Sequence, residues 1–212
     1  MSVPRYIAVE GPIGVGKSSL AKKLAEGFGA RLILEDPSAN PFLPNFYKDR
    51  AKHALKTQIL FLINRYQQQK GLAQGNLFQQ MAVCDYLFSK DRIFASLNLN
   101  KEELFLYEKI YSLLDTNLPK PDLVVFLQAS RDVLLKHIRK RGVDYEKNFD
   151  AAYLGELIES YNRFFFSYNE TPLVVVNISD IDFVKNKSDY DNLVHEILAE
   201  KKGQKHYVSI GK

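Results

Sequence analysis

Short apolar runs alternate along this chain with longer stretches whose apolar residues recur every three or four positions. The runs are Tyr6–Glu10, Arg31–Glu35, Gln80–Cys84, Leu123–Leu127 and Leu173–Val176. Runs this short, apolar on both alternating faces, read as strands buried in a parallel sheet. The periodic stretches read as helices. Ser19 to Phe28 spaces Leu20, Leu24 and Phe28 by four, and a long helix from near Asp49 to Gln69 carries Leu55, Ile59, Leu62 and Tyr66. Further helices are expected over Lys101–Asp115, Arg131–Lys140 with Ser130 as cap, about Asp150–Tyr168, and Asp189–Lys201. Asp36 to Pro41, Pro44, Gly71, Gly75, Pro119 and Pro121 punctuate the chain. The polar tail from Gly203 to Lys212 is compatible with disorder or with packing back.

Strands alternating with helices predict a doubly wound sheet. Ligands of such sheets gather at the carboxyl ends of the strands. That rule selects four places: the loop after Glu10, Glu35, Asp85, and the turn after Gln128.

The first of these places is the most specific. Gly11-Pro12-Ile13-Gly14-Val15-Gly16-Lys17-Ser18 fits G-x-x-x-x-G-K-[ST], the phosphate-binding P-loop, between an expected strand and an expected helix that begins at Ser19. Glycines let successive backbone N–H groups turn inward around an anion, and the helix N-terminus adds its dipole. Lys17 is then expected on the β- and γ-phosphates and Ser18 on Mg²⁺.

Bulk properties narrow the partners. The 212 residues are 46% hydrophobic and 25% charged, which suits one soluble α/β domain spanning residues 1–212. A net charge of +4 without a long basic stretch suits anionic small molecules rather than nucleic acid. Cys84 is the single cysteine, so no internal disulfide forms. No signal-peptide layout or transmembrane-length run stands in the sequence, and a cytoplasmic location away from membranes is the default expectation.

A kinase needs more than a phosphate cradle. Glu35 ends a strand at the ligand edge, where a carboxylate can take the proton of a hydroxyl acceptor; a solvated strand-end carboxylate is the plainer reading. Asp85 follows an apolar strand, where a carboxylate can hold Mg²⁺ or its water, or merely open a turn. Asp91 reads as a helix cap. Arg139-Lys140-Arg141 suit a helix C-terminus and also a lid that lays guanidinium groups over a transferred phosphate. Gln58, Phe61 and Arg65 share a face of the long helix, as an ordinary amphipathic helix also allows; Gln58 can pair with a base edge and Phe61 can stack on it.

Together these pieces resemble the deoxynucleoside kinase family, the deoxycytidine, deoxyguanosine and deoxyadenosine kinases of bacterial type. The resemblance runs from Tyr6 to about Leu198. It is carried by Ile7 to Ser18, Gln58 to Arg65, Ile93-Phe94-Ala95-Ser96, Pro121-Asp122-Leu123-Val124 and Arg139 to Glu146. It implies a P-loop kinase fold with a five-stranded parallel sheet, helices on both faces, and a short arginine-bearing lid around residues 139–149. It implies transfer of the γ-phosphoryl of ATP, with Mg²⁺, to the 5′-hydroxyl of a deoxynucleoside, by a homodimer. Glu35 matches the general base, Gln58 and Arg65 match base readers, and Tyr47 and Glu146 match the pair on the sugar 3′-hydroxyl. Arg141 and Arg139 match lid arginines, and Asp182-Phe183 match the loop on the donor adenine. The family's Glu-Arg-Ser is replaced by Cys84-Asp85-Tyr86, which moves the Mg²⁺-side carboxylate to Asp85 and leaves Lys90 or Arg92 to replace the arginine. The same count sets Lys90 against a base-reading aspartate, and Val143 stands for a further lid arginine. A thymidylate-type monophosphate kinase and a non-catalytic nucleotide-binding module are the competing readings.

Overall fold

The run Tyr6–Glu10 forms β1, with every residue buried, at the heart of a parallel sheet. The computed structural model describes residues 4–73, 81–115, 118–146, 149–199 and 205–209. After β1 come α1 (Lys17–Phe28), β2 (Arg31–Ile33), α2 (Leu43–Lys48), α3 (Arg50–Ala73) and β3 (Ala82–Cys84). Then follow α4 (Asp91–Asn98), α5 (Lys101–Leu114), β4 (Leu123–Gln128), α6 (Arg131–Arg141), α7 (Ala151–Ser167), β5 (Leu173–Asn177), α8 (Lys187–Leu198) and β6 (Lys205–Ser209). The strand order is β2-β3-β1-β4-β5-β6, with every pairing parallel. The sheet therefore has six strands where five were expected. The sixth comes from the tail, which lies beside β5 with Val174 opposite His206 and Val176 opposite Val208. Its polar sequence hides it, because an edge strand buries little.

Other boundaries shift for local reasons. The second strand stops at Ile33, two residues short, because the Glu35 N–H donates to the Asp85 side chain (2.7 Å) instead of continuing the ladder. Pro44 lies in the first turn of α2 and so starts a helix rather than breaking the chain. The long helix runs through Gly71; Gly75, Gln80 and Lys201 lie outside the described residues. Ser130 accepts from the Val133 N–H as the cap of α6, as expected.

Two apolar clusters frame the site. One fills the sheet and joins it to α1, α6, α7 and α8. The other joins α2 to α5 through Leu43, Phe46, Leu62, Phe88 and Tyr107. Phe126 on β4 stacks on Phe165 (centroids 4.2 Å apart) and lies near-parallel to Tyr161 (6.2 Å). Phe126→Ala is expected to cost about 3–5 kcal/mol of folding free energy in denaturant titrations, as cavity-forming aromatic truncations do; a cost near zero would mean that this stack does not hold α7 on the sheet.

Candidate active site

The loop after β1 is built for close approach. Gly14 has φ +85°, and a Cβ there would stand 2.9 Å from the Leu134 carbonyl oxygen and from Ile138 of α6. Gly16 has φ +98° and begins α1, with the Phe183 ring 3.1 Å from where its Cβ would be. A ring nitrogen of His137 lies 2.8 Å from the Gly14 carbonyl. The loop is thus clamped between α6 and Phe183. Within it Val15 is buried and its N–H donates to the Pro12 carbonyl, Ile13 lines the adjoining cavity, and Ser19 is half-buried in the first turn of α1. Lys17 folds its ammonium back onto the carbonyls of Gly11 (2.7 Å) and Pro12 (3.2 Å). Burial, and then the nearby Lys90, pull this ammonium down to about 8.

Glu10 braces the loop from below and went unassigned in the sequence. Fully buried, its carboxylate accepts from the Gly11 N–H (2.8 Å), the Leu87 N–H (2.8 Å) and the Tyr161 hydroxyl (3.1 Å). A charge closing an otherwise apolar strand was the signal available.

Asp85 joins three segments. It follows β3 and is 3% exposed. One carboxylate oxygen accepts from the Ser18 hydroxyl at the loop's mouth, and the other from the Glu35 N–H. Glu35 in turn faces a cavity of about 350 Å³ that Lys17, Ser18, Gln58, Phe61, Arg65, Asp85 and Lys90 also line.

The Glu35 carboxylate sits between two cations. Arg65 Nε donates to Oε1 (2.6 Å) and Lys90 Nζ to Oε2 (3.0 Å). Burial pushes the Glu35 carboxyl up, but Arg65 and Lys90 together outweigh it and hold it at about 2. Arg65 also bonds Asp91 through Nη1, and the Tyr107 hydroxyl donates to the other Asp91 oxygen (2.9 Å). Against the expectation from the sequence, Asp91 does not cap the N-terminus of α4: it is the first residue of that helix, completely buried, with its carboxylate committed to Arg65 and Tyr107. Arg92 points elsewhere, to Glu108 (3.0 Å). Gln58 is 3% exposed and, among the described residues, has no hydrogen-bond partner; Phe61 carries the Arg65 guanidinium 5.0 Å above its ring.

The far wall is aromatic and acidic. Tyr47 stacks on Tyr145 (5.5 Å), and burial, then the Glu146 charge, push its phenol upward, so it stays a neutral donor. Glu146, 7% exposed, receives Arg141 in a two-pronged pair (2.6 and 2.7 Å). Arg141, Val143, Tyr145 and Glu146 all line the cavity. Arg139 is exposed on α6 and does not line it. Phe183 is buried against the loop, while Asp182 organises the turn by accepting from the Val184 and Lys185 N–H groups.

Known proteins share this frame. The family model for deoxynucleoside kinase matches residues 7–201. A deoxyguanosine kinase of Bacillus subtilis (strain 168) is 35% identical over 202 residues, covering 93% of this chain and 98% of that protein. A deoxyadenosine kinase of Lactobacillus acidophilus is 31% identical over 209 residues, covering 91% of this chain and 94% of that protein. The solved deoxyadenosine kinase from M. mycoides with bound dATP superposes with a TM-score of 0.79 at 25% identity, covering 92% of this chain and 100% of that one. With a family match that runs almost end to end, this chain belongs to the deoxynucleoside kinase family.

Proposed function

We propose that the protein transfers the γ-phosphoryl of ATP to the 5′-hydroxyl of a purine deoxynucleoside, with deoxyguanosine preferred. The observation that carries this is the link from Ser18 of the phosphate loop through Asp85 to Glu35, which sets an acceptor carboxylate beside a phosphate cradle. In this reading the backbone of residues 11–16 and Lys17 hold the phosphates, and Asp182-Phe183 meet the donor base. Glu35 takes the 5′-hydroxyl proton. Tyr47 and Glu146 hold the sugar, Phe61 stacks on the base, and Gln58 and Arg65 read its edge. Arginine donors suit the O6 and N7 acceptors of guanine, and a Gln amide with no partner among the described residues offers a donor and an acceptor.

Mg²⁺ belongs to the same reading. The Ser18 hydroxyl and Asp85 carboxylate are adjacent hard oxygen donors, and Mg²⁺ in nucleotide sites typically takes one or two protein oxygens besides phosphate and water. Among the described residues no group of three or more His, Cys, Asp or Glu could hold a metal. Bound there, Mg²⁺ would neutralise phosphate charge. Arg141 would leave Glu146 to meet phosphate; Arg139 reaches it only if α6 moves. A groove of about 640 Å³ beside α4 and α7 is lined by Ile93, Leu97 and Phe164 together with Arg92, Glu156 and Arg163. A cytoplasmic homodimer without nucleic-acid partners completes the proposal; no described helix is long and apolar enough to cross a membrane. No observation favours the monophosphate-kinase or non-catalytic readings.

Initial rates with the four deoxynucleosides and ATP·Mg²⁺ test the reading: deoxyguanosine should lead and deoxyadenosine follow, and a dominant thymidine rate would contradict it. Glu35→Gln should bind nucleoside nearly as the parent does and turn over about 10²-fold or more slowly; unchanged turnover removes Glu35 from the chemistry. Asp85→Asn should need more Mg²⁺ for half-maximal rate, and an unaltered Mg²⁺ titration returns Asp85 to a purely structural role.

A further inference from the structure

Lys90 is a buried cation with more than its packing to explain. It ends a short 3₁₀ turn, Phe88–Lys90, and is 2% exposed. A buried ammonium needs a partner. Its hydrogen bond goes to Glu35 Oε2 (3.0 Å); the nearest Glu10 oxygen is 3.9 Å away, and the Tyr86 ring centroid 5.8 Å. Both carboxylates have other partners as well. Glu10 is satisfied by two backbone N–H groups and Tyr161, and Glu35 already holds Arg65. Lys90 also stands close enough to Lys17 to disfavour its charge. Glu10, Glu35 and Asp85 offset part of that repulsion, and an anion meeting both ammonium groups would offset more. Arg92, the other cation available nearby, is paired with Glu108 and does not line the cavity.

We propose that Lys90 is a further catalytic cation of this transfer, lining with the acceptor carboxylate and the P-loop lysine the cavity in which the phosphoryl group crosses; this rests on the kinase reading above. The 5′-oxygen forms its bond to the γ-phosphorus and gives its proton to Glu35. The bond from that phosphorus to the β–γ bridging oxygen breaks, and its electron pair leaves with ADP. Charge in this loose transition state spreads over three equatorial oxygens. As Glu35 takes the proton it loses its hold on Lys90, and the freed ammonium meets one of those oxygens.

The test compares the parent with K90M and K90R, each with its best deoxynucleoside. K90M should bind nucleoside and ATP nearly as the parent does but lose about 10²-fold in single-turnover rate, as when one transition-state donor is removed. K90R, keeping the charge, should recover most of that loss. The ratio of rates with ATP and with ATPγS should fall in K90M, because the contact that distinguishes oxygen from sulfur is gone. A merely structural lysine would leave this ratio unmoved, and an unmoved ratio, or a K90M rate equal to the parent's, overturns the proposal. If K90M does not fold, K90Q takes its place with the same expectations, and an unmoved ratio there again overturns the proposal. A parent that phosphorylates no deoxynucleoside would instead sink the kinase reading itself.

Discussion

The site depends on a single carboxylate, that of Asp85, which ties the loop after β1 to the segment after β2 that carries Glu35. Parallel pairing already brings the ends of β1, β2 and β3 to one edge, with Ala8 opposite Cys84 and Cys84 opposite Ile33. Pairing alone leaves the residues beyond the strands free to diverge. Asp85 removes that freedom by accepting from Ser18 on one side and from the Glu35 backbone on the other. Glu35 leaves the ladder to make this bond, so the short second strand and the position of Glu35 have one cause. Glu10 does the same from beneath, joining the loop to Leu87 and Tyr161.

Charge alternation makes this edge tolerable. Glu35, Arg65, Asp91 and Lys90 form a continuous chain in which each charge meets an opposite one. Removing one member of such a buried pair typically costs about 3–5 kcal/mol, because the partner is left uncompensated. The arrangement makes Glu35 a weak base in the empty protein, held at about 2 by Arg65 and Lys90 against burial. Weak basicity is compatible with phosphoryl transfer through a loose transition state, where position and charge matter more than proton affinity. It also links the two ends of the cavity: any nucleobase that draws on Arg65 changes what holds Glu35.

Much of this was legible in the sequence, for reasons visible in particular residues. The P-loop stands where its motif sits because strand, glycines and helix occupy consecutive residues. Gln58, Phe61 and Arg65 line one cavity because helical spacing puts them on one face. What escaped depends on contacts between distant residues. Spacing could not show that Asp91 turns toward Arg65 and Tyr107 rather than capping α4, since both roles use the same aspartate at a helix start. Glu10 looked like the end of a strand until its three donors were in place. β6 was hidden because Lys205–Ser209 lacks an apolar run and is fixed by distant partners, β5 and Phe166 of α7.

The most direct measurement is the distance from the Glu35 carboxylate to the acceptor oxygen in a crystal of the protein with deoxyguanosine and a non-hydrolysable ATP analogue. The account predicts the 5′-oxygen within hydrogen-bond reach, about 2.6–3.2 Å, on the side of the cavity facing Lys17. A nucleoside bound with its 5′-oxygen turned away from Glu35, or outside the cavity that Gln58 and Tyr47 line, would contradict it.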